Sequence, residues 1–362
     1  MIIKNKSTNY IYSINTLRFI ANFCIVLVHC KAFYILPTFG VNNVLFFLSY
    51  IFYDLSRLAL PVFFMLAGYL FGKVYQRNGL LNSTYMKFAK KISFIFICLV
   101  FLYSIPVQQD AYYDFTIDHN GFLHAYYWHL LNLFRNPIFL IVQGPKYHLW
   151  FLPALLFGIT FITLLITMKL EKLLIYIIII PYLLCSFFKP FIDTPVIANL
   201  TIMHFIGLAM SITQVGLGYL MAKEPKLTKK MYQQLCWVGI VMLLIQSLFT
   251  SVFQIDINKI IMVGSVPLAM GVIIWAILHP NFGKNSIFSA FGTLTLWIYG
   301  IHPFILDQLI KYKYKFDFTI WNIFFPISVY AISLVIVFIF KWVFILIKNN
   351  IIKFKLQYPT NG

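Results

Sequence analysis

Long apolar runs constrain this chain more than any other feature. They recur along the whole sequence, and each is close to the roughly 20 residues that a helix needs to cross a bilayer. Charged residues make up only 10% of the chain, against about 25% in soluble domains. So few charges cannot cover a surface that faces water. The sequence therefore predicts an integral membrane protein, and excludes an ordinary soluble enzyme, a disordered chain and a secreted disulfide scaffold.

The apolar runs predict about ten membrane spans. Charged or turn-forming residues bound each of them: 13–36, 44–72, 88–107, 147–168, 173–188, 201–221, 232–250, 260–278, 287–309 and 320–347. The expected fold class is therefore all-α, a polytopic membrane protein with a single membrane-embedded domain over residues 1–362. The second run contains Asp54, Arg57 and Pro61, and predicts a short helix followed by a span. The polar and aromatic stretch Gln108–Lys146 is predicted to connect two spans.

An even number of spans places both ends of the chain on one side of the membrane, and Lys and Arg indicate which side. With both termini in the cytoplasm, cytoplasmic segments contain more than twice as many of the 28 Lys and Arg residues as outer segments. Lys311, Lys313 and Lys315 fall outside and oppose this orientation. Topology thus explains the net charge of +18, and we expect no nucleic-acid partner. The predicted location is the lipid bilayer of the plasma (inner) membrane.

The first span contains two ionisable side chains, which are costly in a membrane and mark candidate functional sites. His29 follows Arg18 by 11 residues, close to three full helical turns. Both side chains therefore face the same way, with Cα atoms roughly 16 Å apart along the axis. One helix face presents a cation near the cytoplasm and an imidazole deep in the membrane. A snorkelling arginine and a hydrogen-bonded core histidine are the structural alternative.

Two further histidines are predicted at a similar depth. His148 begins the fourth span in Tyr-His-Leu-Trp-Phe, and His302 lies in the outer half of the ninth in Tyr-Gly-Ile-His-Pro. Neither has the close spacing or the carboxylate support that metal ligands usually show, so we expect no metal site. Asp54 and Arg57 share a helix face at i and i+3, which a neutralising buried pair also explains.

Three lysines form one basic face at the inner end of the third predicted span. Lys87, Lys90 and Lys91 stand at i, i+3 and i+4 of a helix. An ordinary positive-inside anchor explains this pattern. The functional alternative is a site for the phosphates of a cytoplasmic donor, which lysine attracts as a point charge rather than by a bidentate grip.

Together these features resemble the acyltransferase-3 family of polytopic membrane acyltransferases. Four motifs follow in the family's order: Arg-x10-His at Arg18 and His29, the Ser-Arg to Gly-aromatic-Leu signature over Ser56–Leu70, His-Leu-Trp-Phe over His148–Phe151, and Tyr-Gly-hydrophobic-His over Tyr299–His302. The resemblance is closest to short, domain-free O-acetyltransferases such as that of enterobacterial common antigen. The chain departs from the family's frequent Arg at the third span and from its frequent Ser at position 67, which here is Ala67.

The resemblance implies an enzyme that moves an acyl group from cytoplasmic acyl-CoA to a hydroxyl of a surface glycan or its lipid-linked precursor. It implies no tightly bound cofactor, and acyl-CoA, expected to be acetyl-CoA, is a co-substrate. The candidate catalytic residues are His29, Arg18 and His302. The candidate substrate-binding residues are Arg57, Lys87, Lys90, Lys91, His148, Trp150 and Tyr299.

Two questions stay open at the level of sequence. His29 can act as a general base on the acceptor hydroxyl, or as a nucleophile that forms an acyl-imidazole. The alternative function is an exporter or flippase of a surface polysaccharide or lipid-linked glycan without acyl transfer. Such a transporter typically contains inverted repeats and broken helices, and the sequence shows no internal repeat.

Overall fold

The structure is a computed structural model that describes residues 10–30, 51–105, 122–188, 195–197, 200–224, 226–252, 263–310 and 318–357. Helices account for nearly all of these residues. The α-helices are α1 Tyr12–His29, α2 Ala59–Asn78, α3 Leu81–Tyr103, α4 Phe122–Arg135, α5 Pro137–Gln143, α6 Phe151–Thr167, α7 Leu174–Phe188, α8 Ile202–Lys223, α9 Lys229–Val252, α10 Ser265–Leu278, α11 Ile287–Phe291, α12 Thr295–Ile310 and α13 Phe318–Gln357. The 3-10 turns are Tyr147–Trp150, Glu171–Leu173 and Gly292–Leu294, and the strands β1 Pro195–Ile197 and β2 Leu200–Thr201 pair in antiparallel.

The helical membrane class predicted from the sequence is confirmed. Five helical segments in the described part of the chain are long and apolar enough to cross a membrane: Tyr12–His29, Ile51–Asn78, Lys229–Phe249, Ile287–Ile310 and Phe324–Ile347. Two shorter apolar helices are Phe151–Thr167 and Ser265–Leu278. Every predicted span coincides with a helix, whereas the number of ten crossings and the cytoplasmic termini stay predictions.

The structure differs from the sequence prediction in three places. Helices α4 and α5 lie within Gln108–Lys146, because their aromatic and polar residues form helix without the sustained apolarity of a span. Helix α3 begins at Leu81, seven residues earlier than predicted, since the polar segment before Phe88 contains no helix breaker. The ninth predicted span is interrupted, and a 3-10 turn at Gly292–Leu294 separates α11 from α12.

Helix α1 packs against the elements formed by the last quarter of the described chain. The Ser13 hydroxyl donates to the Ala276 carbonyl over 2.5 Å, which fixes the N-terminal end of α1. Farther along, the Asn22 side-chain amide donates to the Thr295 carbonyl over 3.2 Å. Val26 then joins an apolar cluster with Ile298. These contacts set α1 and α12 side by side and parallel, in a fixed register.

Glycines allow α2 and α8 to cross with their backbones in contact. A Cβ on Gly68 would overlap the Val215 carbonyl, and one on Gly218 would overlap the Met65 carbonyl. The sequence predicts close helix approach at Gly68, and the structure confirms it. This crossing holds Phe64 in the buried core beside the functional residues described below.

We predict that α4 faces the outside of the cell and that the α8–α9 connection faces the cytoplasm. In a cysteine-free background, Tyr127→Cys places an exposed thiol on α4, and Lys226→Cys places one in the connection. An impermeant maleimide is expected to label Tyr127→Cys in intact cells and Lys226→Cys only after lysis, because the cytoplasmic segments contain the excess of Lys and Arg. Labelling of Lys226→Cys in intact cells would reverse the orientation.

Candidate functional site

The candidate catalytic histidines of the first and last motifs lie against each other. His29 ends α1 and His302 lies in the middle of α12. Their ring centroids are 5.3 Å apart, with an angle of 32° between the ring planes. His302 has no exposed surface. The contact follows from the register of α1 on α12, because the Asn22–Thr295 pair and the His29–His302 pair have the same sequence separation of 273 residues.

A backbone hydrogen bond selects one tautomer of His302. Its Nδ1 lies 3.3 Å from the carbonyl oxygen of Ile298, one turn earlier in α12. A carbonyl oxygen can only accept, so Nδ1 is the nitrogen that carries the proton. In the neutral imidazole, Nε2 is then the nitrogen with the lone pair. The arrangement prepares Nε2 to accept a proton or a hydrogen bond.

A continuous series of aromatic rings connects this pair to the other two motifs. Tyr299 lies 5.8 Å from His302 between ring centroids, and Phe151 lies 5.3 Å from Tyr299. Phe64 lies 4.5 Å from Phe151, and all three of these aromatic residues are buried. The four motifs, which are far apart in the sequence, therefore meet through direct ring contacts.

The third motif contributes a wall to this site. The Trp150 ring packs where a side chain on Gly207 would stand, and lies 6.2 Å from the Phe64 ring. His148 lies in the 3-10 turn Tyr147–Trp150, and its side chain is outside the described part of the structure. Tyr299 contacts His302 directly, whereas Trp150 is connected to Tyr299 through Phe64 and Phe151. The predicted role of His148 stays untested.

The predicted phosphate site lies at the other end of α1. Arg18 is half-buried, and Lys87, Lys90 and Lys91 are exposed on α3. The charge of Arg18 acts on Lys91, so the two cations repel each other. A cluster of like charges with exposed members is well suited to bind an anion, which relieves the repulsion.

Arg57 lies in a separate polar group, two residues before the start of α2. Its guanidinium stands 5.9 Å from the ring centre of Tyr53 and within electrostatic range of Asp54. Asp54 is 1% exposed, and Ser247 donates to its carboxylate over 2.5 Å. These contacts agree with the neutralising pair considered from the sequence, and the substrate-binding role of Arg57 stays a prediction.

Asn22 is a candidate functional residue that the sequence analysis missed. Its side chain has no exposed surface, and its Oδ1 accepts no hydrogen bond from the residues that the structure describes. Such a buried unsatisfied oxygen typically costs about 1–3 kcal/mol. Asn22 lies on the same face of α1 as Arg18 and His29 and between them, so the helical spacing that selected those two residues also selects Asn22.

No metal centre is evident among the described residues, because no three His, Cys, Asp or Glu side chains come together there in a group that could hold an ion. Cys24, Cys98 and Cys236, which lie in the described part of the chain, are free thiols.

Comparison with known protein families matches residues 11–346 to the acyltransferase domain of the acyltransferase-3 family. The match extends from the residue before α1 into α13, and it includes all four motifs. Comparisons with curated proteins and with solved structures give no significant match. The family match and the apolar helices lead to one conclusion: the chain belongs to the acyltransferase-3 family and is a membrane acyltransferase.

Proposed function

We propose that the protein transfers an acyl group, expected to be acetyl, from cytoplasmic acyl-CoA to a hydroxyl of a surface glycan or its lipid-linked precursor. The observation that carries this proposal is the packing of His29 on His302, at the end of a helix whose other end carries Arg18. One helix thereby joins an anion-attracting end to an acid–base pair. Acyl transfer from a long phosphorylated donor to a hydroxyl needs both.

The donor route follows the polar face of α1. Arg18 and the exposed lysines of α3 attract the phosphates of CoA, and the pantetheine arm extends toward His29. Asn22 precedes His29 by seven residues, which is about 10 Å along a helix. In an extended arm, roughly 10 Å also separates the thioester carbonyl from the farther amide nitrogen, at about 1.2 Å per bond. The unsatisfied Asn22 oxygen is thus placed to accept that amide N–H.

Transfer at the histidine pair moves the hydroxyl proton to the departing thiolate and replaces the C–S bond of the donor with a C–O bond of the acceptor. As a general base, His29 removes the proton of the acceptor hydroxyl while that oxygen attacks the thioester carbonyl. The new C–O bond forms, the C–S bond breaks, and the departing thiolate takes up the proton. As a nucleophile, His29 first forms a C–N bond to the acyl carbon while the C–S bond breaks and CoA leaves as the thiolate. The acceptor oxygen then forms the C–O bond as the C–N bond breaks, and the hydroxyl proton ends on the thiolate. Both sequences give the same ester and free CoA.

The tautomer of His302 favours positioning of the acceptor hydroxyl over stabilisation of an oxyanion. Stabilisation of an oxyanion requires an N–H donor. In neutral His302 that proton is on Nδ1 and is engaged with the Ile298 carbonyl. Nε2 therefore suits a hydrogen bond from the acceptor hydroxyl or from His29. We assign His302 to the positioning of these groups, with Tyr299 and Phe151 as the apolar wall that excludes water.

The test of the proposal is transfer of label from radioactive acetyl-CoA in membranes that contain the protein, compared with membranes that lack it. A labelled, base-labile product in the glycan or lipid-linked glycan fraction would support O-acyl transfer. Export or flipping of unmodified glycan with no label incorporated would support the exporter instead. Longer acyl-CoA donors, assayed in parallel, would identify the acyl group.

We predict that Lys90→Glu combined with Lys91→Glu raises the KM for acyl-CoA roughly tenfold and changes kcat little. Binding of a non-reacting phosphate affects the ground state and the transition state equally. The matched control is Lys229→Glu with Lys230→Glu, which reverses two exposed charges at the start of α9. A deficit that persists at saturating donor would contradict the phosphate-binding role.

A further inference from the structure

Helix α12 contains a proline directly after His302. Pro303 has no N–H to donate to the Tyr299 carbonyl, and its ring crowds that carbonyl, so the helical hydrogen bonding is interrupted here. A helix that is weakened beside a buried imidazole lets that imidazole move. Some other group must keep His302 in register with His29.

The hydroxyl of Tyr103, at the end of α3, lies at this break. It donates to the Gly300 carbonyl over 2.9 Å and accepts from the Phe304 N–H over 3.1 Å. An uninterrupted α-helix joins the N–H of residue 304 directly to the carbonyl of residue 300. The phenol oxygen therefore bridges the two backbone groups that lie on either side of Pro303.

The Tyr103 ring is itself held in place. The Lys146 ammonium stands 5.9 Å from the ring centre, and it forms an ion pair with Asp307, one turn beyond Pro303 in α12. The Lys146 side chain is 9% exposed and that of Asp307 is 30% exposed, so this pair is partly shielded from water. Lys146 also directly precedes the 3-10 turn of the third motif.

We propose that Tyr103 is a positioning residue for His302. Its hydroxyl bridges the interrupted hydrogen bonding of α12 at Pro303, and Lys146 and Asp307 hold the phenol in place. His302 is thereby kept against His29. The positioning role rests on the proposed function, because it matters for catalysis only if the histidine pair performs acyl transfer. The hydrogen-bonded bridge that Tyr103 forms in α12 does not depend on that function.

Activity measurements test the positioning role. Tyr103→Phe removes the bridging oxygen and keeps the ring under Lys146. We expect kcat to fall roughly 10- to 100-fold, as for a displaced catalytic group, with the KM for acyl-CoA unchanged, since the phosphate site lies at the other end of α1. The matched control is Tyr85→Phe, on the same helix as Tyr103. It loses a hydroxyl contact of 3.2 Å with Thr160 of α6 and should keep wild-type kcat. Equal kcat values in the two variants would overturn the role.

Hydrogen exchange tests the Tyr103 bridge independently of activity. Residues 300–307 should exchange faster in Tyr103→Phe than in the wild type or in Tyr85→Phe, because the Phe304 N–H loses its acceptor. Pro303→Ala restores a continuous helix, so adding Tyr103→Phe in that background should leave exchange unchanged. Unchanged exchange in Tyr103→Phe alone, or an equal increase in the Pro303→Ala background, would contradict the proposed bridge.

The two measurements separate the two proposals. If wild-type membranes show no acyl transfer, the proposed function fails, and hydrogen exchange alone decides whether Tyr103 bridges α12 at Pro303. If the wild type transfers acyl groups and Tyr103→Phe changes neither kcat nor exchange, the proposed function stands and this inference fails.

Discussion

His29→Ala is expected to reduce acyl transfer by about 10²–10⁴-fold, the range for loss of a general base, and further if His29 carries the acyl group. The imidazole ends α1 and packs on His302, at the position where the proposed transfer takes place. Turnover should be measured at saturating donor and at matched amounts of protein. Near-normal turnover of His29→Ala would contradict the proposed mechanism.

Two comparisons sharpen this experiment. His279→Ala is the matched control, because His279 is exposed, stacks on Trp275 at 5.1 Å and lies at the opposite end of α1 from the pair, where the Tyr12 N–H donates to the Pro280 carbonyl. It should retain full turnover. His302→Ala should reduce turnover less than His29→Ala, and the double variant should lose little more than His29→Ala alone, since residues that act as a unit are not additive. Equal losses in the two single variants would leave the base unassigned.

Gly68→Val is expected to destabilise the folded protein by about 3 kcal/mol, at the upper end of the usual penalty for overpacking. A side chain at this position would meet the Val215 backbone carbonyl, which cannot rotate away as a side chain could. Helix α2 would have to separate from α8, and Phe64 would move with it. Thermal unfolding of purified protein in detergent should show a lowered Tm and reduced yield.

The neighbouring position provides a control for bulk and hydrophobicity. Ala67 is half-buried and points about 100° away from Gly68 around the helix. Ala67→Val adds the same side chain there, and we expect a Tm close to that of the wild type. A wild-type Tm for Gly68→Val would contradict the backbone contact between the two helices.

Features that depend on one helix could be predicted from the sequence. The helical spacing of residues and their hydropathy are enough to assign helices and to place Arg18 and His29 on one face. The absence of a side chain at Gly68 is enough to suggest the close approach of another helix there. These properties are local, because they follow from the 3.6-residue repeat and from the size of a side chain. The same reasoning failed for α4, whose aromatic and polar residues do not reach the hydropathy of a span.

Features that depend on pairing between distant helices could not be predicted. The sequence places His29 and His302 at a similar depth, and nothing in either motif shows that their rings touch. That contact results from hydrogen bonds such as Asn22 to Thr295, which fix a register across 273 residues. Tyr103 was missed for a similar reason, because its role depends on a proline in another helix.

The separation of the two histidines along the chain also sets the order in which the site is built. At about 5–20 residues per second, synthesis reaches residue 302 roughly 15–55 s after residue 29. During that interval α1 lies in the membrane without the helix that completes the pair. A growing or prematurely ended chain therefore contains Arg18 and His29 without the assembled histidine pair. Under the proposed mechanism, such a chain has the first helix of the site and lacks the partner that positions the acceptor for transfer.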